Sequence, residues 1–188
     1  MDKGWFKVPG VRPDGDRTLE EQLIGLKPAL EECKGKTVLD LGCAEALISI
    51  EFAKAGALSV TGIEAVQTHL DVAKKLCKPY PIKLINANLT AYIPNQDPIQ
   101  QYDIVLMLGI AHKLQFPVLC VEFAAKSAKD LVLFRGPAYA RNGVIRSKHN
   151  LSNECDVPET MRKHGFVEEI TIQGVRGESV QYWRRNKC

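Results

Sequence analysis

The sequence predicts an α/β protein whose doubly wound, mostly parallel sheet has seven strands and includes a C-terminal antiparallel strand. Five short apolar segments, rich in β-branched residues, alternate with helical segments, which is typical of a parallel sheet covered by helices. Two more strands near the C-terminus are joined by residues 173–178. A parallel crossover needs about a dozen residues or more, so this short linker predicts an antiparallel hairpin.

Chain length and composition predict one soluble globular domain. The chain has 188 residues, of which 45% are apolar and 25% charged. We expect a single domain over residues 1–188, with an N-terminal arm and helix over 1–35. A chain of this size buries roughly 70% of its unfolded surface, so it needs no metal or disulfide to hold a core. The net charge of +3 is too small to indicate a nucleic-acid binder.

The six cysteines and the apolar segments predict a cytoplasmic protein. The cysteines form no Cys-x-x-Cys pair, and no Cys/His spacing matches a zinc site, so we expect reduced thiols and no metal. The first ten residues lack the apolar core of a signal peptide. The longest strongly apolar segment, 104–111, is too short to span a bilayer, so no membrane association is expected.

The N-terminal elements follow from local signals. Residues 1–17 are rich in Gly, Pro and Asp and predict an irregular arm. Thr18 followed by Glu21 is a capping box that predicts the start of a helix, which Pro28 breaks or restarts. Strands and helices then alternate, with strands at 37–41, 58–64, 82–89, 102–110 and 130–136, and helices at 44–56, 68–78 and 117–128.

The C-terminal elements complete the prediction. Residues 137–155 suggest a long loop, and 90–101 a shorter one. Asp156 is a plausible N-cap for a short helix that ends at Gly165. The two strands of the hairpin are predicted at 166–172 and 179–185.

The turn after the first strand is the expected ligand site, because open α/β sheets bind ligands at the carboxyl ends of their strands. Its sequence, in "TVLDLGCAEAL" (37–47), does not fit a dinucleotide fingerprint, which would need glycine at positions 42, 44 and 47. Here those positions are Gly42, Ala44 and Leu47. A phosphate-binding Walker loop is also absent, since no Gly-Lys-Ser/Thr follows.

Two acidic residues favour a different ligand. Asp40 lies in the apolar strand just before the turn, where its carboxylate would repel a pyrophosphate and attract a positive group. Glu64 ends the second strand, where an acid can accept hydrogen bonds from both ribose hydroxyls. Together they predict a site for a nucleoside that carries a cationic tail and no phosphate.

Four segments resemble the class I S-adenosylmethionine-dependent methyltransferases. "VLDLGCAEA" is similar to motif I of that family, "VTGIEA" to its acidic second motif, "INANL" to the third and "YDIVLMLGIAH" to the fourth. The resemblance covers roughly residues 36–184, and the closing hairpin is similar to that fold's antiparallel seventh strand. It implies a Rossmann-like fold, S-adenosyl-L-methionine as cofactor and a methyltransferase activity.

The resemblance also implies roles for particular residues. Asp40 would contact the amino group of the cofactor, directly or through water, and Glu64 would bind its ribose hydroxyls. Gly42 would let the chain pass close to the methionine part, and Asn88 would accept a hydrogen bond from the adenine amino group. The other expected cofactor-binding residues are Cys43, Ala44, Leu89 and Leu108. Ala44 and Ala46 replace family glycines and would crowd the cofactor by one methyl group each.

The sequence gives fewer candidate residues for the site that would bind the methyl acceptor. His112 follows the fourth strand and is the candidate general base, with a capping or surface histidine as the alternative. Arg135 and Arg141 are candidates for binding an anionic acceptor, with a solvated charged loop as the alternative. The arm that carries Trp5 is a candidate lid over the cofactor.

The acceptor itself is not predicted. A small molecule and an RNA base are the expected classes, a protein side chain stays open, and so does the oligomeric state. Aminopropyl transfer or lysis of S-adenosylmethionine would be another fate for the same cofactor. A non-catalytic partner subunit with this fold is a further alternative, supported by the two alanines of the first turn.

Overall fold

The computed structural model describes residues 4–140 and 142–186. Its nine strands, in chain order, are β1 (Thr37–Leu41), β2 (Ser59–Glu64), β3 (Ile82–Asn86), β4 (Tyr102–Leu108), β5 (Ala128–Arg135), β6 (Val144–Arg146), β7 (Glu154–Asp156), β8 (Phe166–Gln173) and β9 (Ser179–Arg185). Its helices are α1 (Leu19–Leu23), α2 (Lys27–Glu32), α3 (Leu47–Lys54), α4 (Gln67–Leu76), α5 (Leu89–Tyr92), α6 (Pro117–Ser127) and α7 (Val157–Lys163).

Seven of these strands form one sheet in the order β3-β2-β1-β4-β5-β9-β8. Neighbours from β3 to β5 are parallel, whereas β9 is antiparallel to both β5 and β8. The predicted doubly wound sheet and its C-terminal antiparallel strand are therefore confirmed. Strand order reverses at β1, whose chain continues to β2 on one side while β4 lies on the other.

Two helix starts agree with the sequence signals. The Thr18 hydroxyl accepts a hydrogen bond from the Glu21 amide at 3.2 Å, and the Glu21 carboxylate accepts one from the Thr18 amide at 3.0 Å. Asp156 caps α7 by accepting from the Glu159 amide at 2.8 Å. Pro28 lies in the first turn of α2, so it restarts the helix.

Three predictions of local structure were wrong. Residues 137–155 are not simply a loop, because β6 and β7 pair as a hairpin whose Ile145 and Cys155 are buried in the core. The segment 90–101 begins within a short helix, α5, rather than as loop. The helix predicted from residue 44 begins at Leu47, because Ala44 and Ala46 have left-handed backbone angles.

The N-terminal arm packs into the core. Phe6 and Val8 are buried in the same apolar cluster as Phe52 of α3 and Leu131 of β5. Backbone hydrogen bonds join the two ends of the arm; the Lys7 amide, for example, donates to the Arg17 carbonyl at 2.8 Å. The arm thus covers the carboxyl end of the sheet near β1.

The five cysteines that the structure describes, Cys33, Cys43, Cys77, Cys120 and Cys155, are buried and not disulfide-bonded. Burial raises the pKa of each of these thiols. Within the described residues, none of the helices is long and apolar enough to cross a membrane. The cytoplasmic location stays a prediction.

Candidate active site

The carboxyl ends of β1, β2 and β4 surround a cavity of about 310 Å³, which we call the first cavity. Parallel strands bring these ends to one edge of the sheet, at the point where strand order reverses. The described lining is mostly apolar and includes Gly42, Ala44, Ile63, Glu64, Asn88, Leu89, Leu108, Gly109, Ile110, Lys113 and Trp5.

The first turn keeps a tight shape with a single glycine. The amides of Gly42 and Cys43 both donate to the Ile63 carbonyl, at 2.8 and 3.1 Å. Gly42 has φ +74°, and a Cβ there would lie 2.8 Å from Cγ1 of Ile110, so a side chain does not fit. Ala44 and Ala46 adopt φ of 49° and 62°, which costs about 1 kcal/mol each for a residue with a side chain. The alanines therefore occupy the backbone conformation that glycine would take.

Glu64 lies at the edge of the first cavity, and its carboxylate uses only part of its capacity to accept hydrogen bonds. One oxygen accepts from the Ala44 amide at 2.9 Å and the other from the Val66 amide at 2.8 Å. A carboxylate offers about four acceptor positions, so roughly two are available to a ligand. The contact to Ala44 also links the end of β2 to the first turn.

Asp40 lies beside the first cavity rather than in its lining. It is 4% exposed and accepts from the Ser49 hydroxyl at 2.6 Å. Burial raises the pKa of this carboxyl to about 6, the Ser49 hydrogen bond opposes that rise, and repulsion from Glu64 adds to it. With Gly42 and Cys43 it lines a small adjoining cavity of about 20 Å³, which has room for about one water molecule.

The other predicted cofactor residues lie at the far side of the first cavity. Leu89 and Leu108 contribute apolar wall, and Asn88 is an exposed residue of the lining. The Asn88 side-chain oxygen accepts from the Thr90 amide at 2.9 Å and caps α5. The side chain therefore has a structural hydrogen bond in addition to its place at the cavity.

Glu45 holds the arm against the first turn, and the sequence reasoning missed it. Its carboxylate is fully buried and accepts from the amides of Trp5 and Phe6 at 3.1 and 3.0 Å, and from Nη1 of Arg12 at 3.1 Å. These bonds bring Trp5 into the lining of the first cavity. An acid inside the otherwise apolar "AEALISI" was the available signal, because a buried charge needs a partner.

Lys113 was also missed, although it adjoins His112. Its Nζ lies 3.8 Å from the centroid of the Trp5 ring, which is a cation–π contact. Burial and the neighbouring Lys148 charge lower the pKa of this lysine, while Glu64 raises it. Lys113 lines the first cavity and the larger one next to it.

A second cavity of about 480 Å³ adjoins the first. The two share Trp5, Gly109 and Lys113 as lining residues. Gly109 has φ +70°, and a Cβ added there would meet no atom of the described residues within 4 Å. The boundary between the cavities at Gly109 is therefore open space.

His112 and Arg135 both line the second cavity. His112 is 8% exposed, and its pKa falls to about 4 because of burial and the positive charges of Lys113 and Lys148, so the ring is neutral at neutral pH. The Arg135 guanidinium donates to the Gln22 side-chain oxygen at 2.9 Å and to the carbonyls of Gln22 and Ile24. Arg135 thereby ties β5 to α1. Arg141 lies outside the described residues.

The arrangement provides two neighbouring sites of different character. The first cavity has the Glu64 carboxylate at its edge and mostly apolar walls, which suits a nucleoside. The second is lined by polar and charged side chains from the arm, the loops after β4 and β5, and the turn before β9. A group transferred between ligands in the two cavities would pass Gly109.

Known proteins resemble this chain in sequence. Residues 38–129 match the family model described as a methyltransferase domain. The ribosomal protein L11 methyltransferase of Xanthomonas oryzae pv. oryzae is 26% identical over 151 residues, which cover 77% of this chain and 44% of that protein. The tRNA U34 carboxymethyltransferase of Pseudomonas fluorescens is 28% identical over 126 residues, covering 62% of this chain and 36% of that protein. The chain thus spans less than half the length of these two curated relatives.

The fold is shared with solved methyltransferases. Magnesium protoporphyrin IX methyltransferase from Synechocystis PCC 6803, solved with bound S-adenosylmethionine, superposes with a TM-score of 0.64 at 17% sequence identity. The superposition covers 85% of this chain and 74% of that one. Residues 38–129, just under half of the chain, thus match a methyltransferase domain, and the strand order and this superposition show that the chain shares the Rossmann-like fold of S-adenosylmethionine-dependent methyltransferases.

Proposed function

We propose that this chain transfers a methyl group from S-adenosylmethionine in the first cavity to an acceptor in the second. The observation that carries the proposal is the open boundary at Gly109, which lines both cavities and has no side chain to separate them. The matched methyltransferase relatives make methyl transfer the first expectation for such a pair of sites.

The residues around the first cavity fit the cofactor. Gly42 lies in the lining of this cavity, and its missing Cβ makes room for Ile110, which lines the same cavity. We assign Glu64 to the ribose hydroxyls, Asp40 to the cationic amino group and Asn88 to the adenine. Ala44, Leu89 and Leu108 complete the wall of this cavity, and Cys43 lines the small cavity beside Asp40. Bound S-adenosylmethionine supplies an electrophilic methyl group on a sulfonium.

The chain's own contribution is alignment and exclusion of water. Two reactants held in contact react far faster than in solution, and the shared wall of Trp5, Gly109 and Lys113 fixes their relative positions. We assign the arm to covering both ligands, since Glu45 fastens Trp5 at the boundary. His112 is the proposed proton acceptor. Its pKa of about 4 makes it a weak base, which favours acceptors that lose a proton readily.

The acceptor class follows from the size of the second cavity. A space of about 480 Å³ accommodates a small molecule or a single RNA base rather than a folded partner. Arg135 would support such an acceptor indirectly, through the α1 contacts that shape the cavity. We also propose that residues 1–188 form one domain, because Phe6 of the arm lies in the same core cluster as Leu131 of the sheet.

Calorimetric titration with S-adenosylhomocysteine tests the cofactor site. We expect binding by the wild-type chain and, for Glu64→Gln, an affinity weaker by about tenfold or more, because hydrogen bonds to a charged acceptor are lost. Glu154→Gln is the matched control, since that glutamate is 54% exposed and pairs with Arg146 at the surface. Absence of binding by the wild-type chain would favour a non-catalytic partner subunit instead.

Mass spectrometry of the products tests the reaction. The protein is incubated with S-adenosylmethionine and a panel of small-molecule and RNA acceptors. Formation of S-adenosylhomocysteine together with a methylated acceptor is expected. Methylthioadenosine as the nucleoside product would point to lysis or to transfer of the aminocarboxypropyl chain and would contradict the proposal; a parallel incubation with decarboxylated S-adenosylmethionine tests aminopropyl transfer.

A further inference from the structure

We propose that the acceptor is a small molecule carrying a compact oxyanion, a carboxylate or a phosphate monoester, which Arg17 and Gln22 bind inside the second cavity. This inference rests on the proposed function, because it describes the ligand of the acceptor site. Both residues belong to the N-terminal segment, and both line the second cavity.

Two side chains that line this cavity each carry a buried donor atom without a partner among the described residues. Nε2 of Gln22 and Nη1 of Arg17 are buried and have no hydrogen-bond partner among the described residues. Gln22 is 5% exposed, and the Arg17 side chain is 12% exposed. Buried polar groups are nearly always hydrogen-bonded, and leaving one unpaired is costly. Two such donors in one cavity therefore indicate an acceptor group that the ligand supplies.

The two side chains are held in place by their other atoms. Gln22 accepts from Arg135 at 2.9 Å through its oxygen, which directs its amide nitrogen away from that contact. Arg17 uses Nη2 to pair with Glu178 at 2.9 Å, leaving Nη1 as the unpartnered nitrogen. The donors are thus positioned by the protein before a ligand binds.

The charged side chains that line the second cavity also favour an anion. Cationic side chains outnumber acidic ones in the described lining, with Arg17, Lys113, Arg135, Lys148 and Arg176 against Asp16 and Glu178. An anion is therefore favoured in this cavity by charge as well as by hydrogen bonding.

The position of the donors favours a small molecule over nucleic acid. A phosphodiester is flanked by two sugars and is usually bound by exposed cations, whereas the Gln22 amide is buried. Gln22 also borders the small cavity beside Asp40, but the Asp40 carboxylate disfavours an anion on that side. The oxyanion therefore belongs in the second cavity, not with the cofactor's methionine part.

Calorimetric titration with three probes tests this inference on protein saturated with S-adenosylhomocysteine. The probes are benzoate, phenyl phosphate and the neutral isostere benzamide. We expect one or both anions to bind alongside S-adenosylhomocysteine, and benzamide to bind about tenfold or more weakly, as expected for loss of a charge-assisted hydrogen bond. Comparison of the two anions distinguishes a carboxylate from a phosphate acceptor.

The decisive variant is Gln22→Glu. It keeps an oxygen for Arg135 but replaces the unpartnered donor by a second carboxylate oxygen, so anion affinity should fall by about tenfold or more. Arg17→Gln should have a similar effect. Arg146→Gln is the matched control, because that arginine has a 59% exposed side chain, pairs with Glu154 and is not part of the described cavity lining, so its loss should change anion affinity less than about threefold.

Affinity for S-adenosylhomocysteine, measured on every variant, separates this inference from the proposed function. Normal binding of S-adenosylhomocysteine without anion binding would overturn the oxyanion assignment and leave the proposed function standing. Competition between the anions and S-adenosylhomocysteine would overturn it too, by assigning the donors to the cofactor's carboxylate. Binding of an RNA stem-loop that Gln22→Glu leaves unchanged, without binding of benzoate or phenyl phosphate, would assign the cations to nucleic acid.

Discussion

The two cavities differ in how the chain builds them. The first lies at the ends of β1, β2 and β4, and its lining comes mainly from the short turns that follow these strands. The second is assembled from the arm, α1, the loops after β4 and β5, and the turn before β9. The first is mostly apolar with Glu64 at its edge, whereas the second is rich in cations.

This difference teaches where specificity is encoded in the molecule. The sheet shapes the first cavity, the proposed cofactor site, through backbone pairing, which tolerates even the alanines of the first turn. The acceptor side depends on a few long-range side-chain contacts, such as Glu45 to the arm and Arg135 to Gln22. Changes in those contacts should alter the second cavity while the sheet persists.

The largest expected effect is on stability, from Glu45→Ala. This change removes the buried carboxylate that accepts hydrogen bonds from Arg12 and from the amides of Trp5 and Phe6, so we expect the free energy of unfolding to fall by about 3 kcal/mol. Denaturant unfolding measures it. Glu31→Ala is the control, because Glu31 is 66% exposed in its pair with Lys27, and should cost under about 1 kcal/mol. Equal losses would contradict the role of Glu45 in holding the arm.

Gly109→Ala should affect the boundary between the cavities. The new methyl group would project into open space between donor and acceptor, so we expect methyl transfer to slow by about 100-fold through misplacement. Turnover is compared with S-adenosylhomocysteine affinity, which should change much less. Gly35→Ala controls for backbone strain, because Gly35 also has a positive φ, +74°, and open space around its Cβ. If both variants slow transfer equally, the boundary at Gly109 is not the cause.

The first cavity, the proposed cofactor site, was the more predictable of the two. Asp40 and Glu64 end neighbouring strands, and parallel pairing brings such ends to one edge, so local patterns were sufficient to expect a shared site there. The capping signals of Thr18 and Asp156 were likewise local. The antiparallel final strand followed from the short linker of the hairpin, whereas the order of the strands in the sheet was not predicted.

The acceptor side could not be predicted in the same way. Gln22 and Arg135 are 113 positions apart, and no periodicity in either segment indicates that they meet. The arm looked irregular because its order comes from Glu45, a residue of another element. The hairpin of β6 and β7 was missed because three-residue strands carry too little alternation to detect.

His112 on the acceptor side should make stability depend on pH. Its pKa is about 4 in the folded chain against 6.5 for an ordinary histidine, so between these values the unfolded chain binds more protons. The free energy of unfolding should therefore fall as pH drops from 6.5 to 4, with His112 contributing roughly 2–3 kcal/mol of that fall. Denaturant unfolding at several pH values should show a smaller fall for His112→Gln. An identical fall in the wild-type chain and in His112→Gln would contradict the assignment.

The Asp40 carboxyl, beside the first cavity, should make stability change with pH in the opposite direction to His112 over a similar pH range. Its folded pKa of about 6 lies above the ordinary 3.8, so the folded chain binds more protons between these values and stability falls as pH rises. In the protein without ligand, Asp40→Asn should reduce this fall in the free energy of unfolding by roughly 2 kcal/mol.

The same carboxyl should make ligand affinity depend on pH. A cationic amino group beside Asp40 favours its ionised form, so binding of S-adenosylhomocysteine should release a proton near pH 6. Affinity should then rise from pH 5 to 7 in the wild type and stay flat in Asp40→Asn. A rise that persists in the variant would mean that the amino group does not bind beside Asp40.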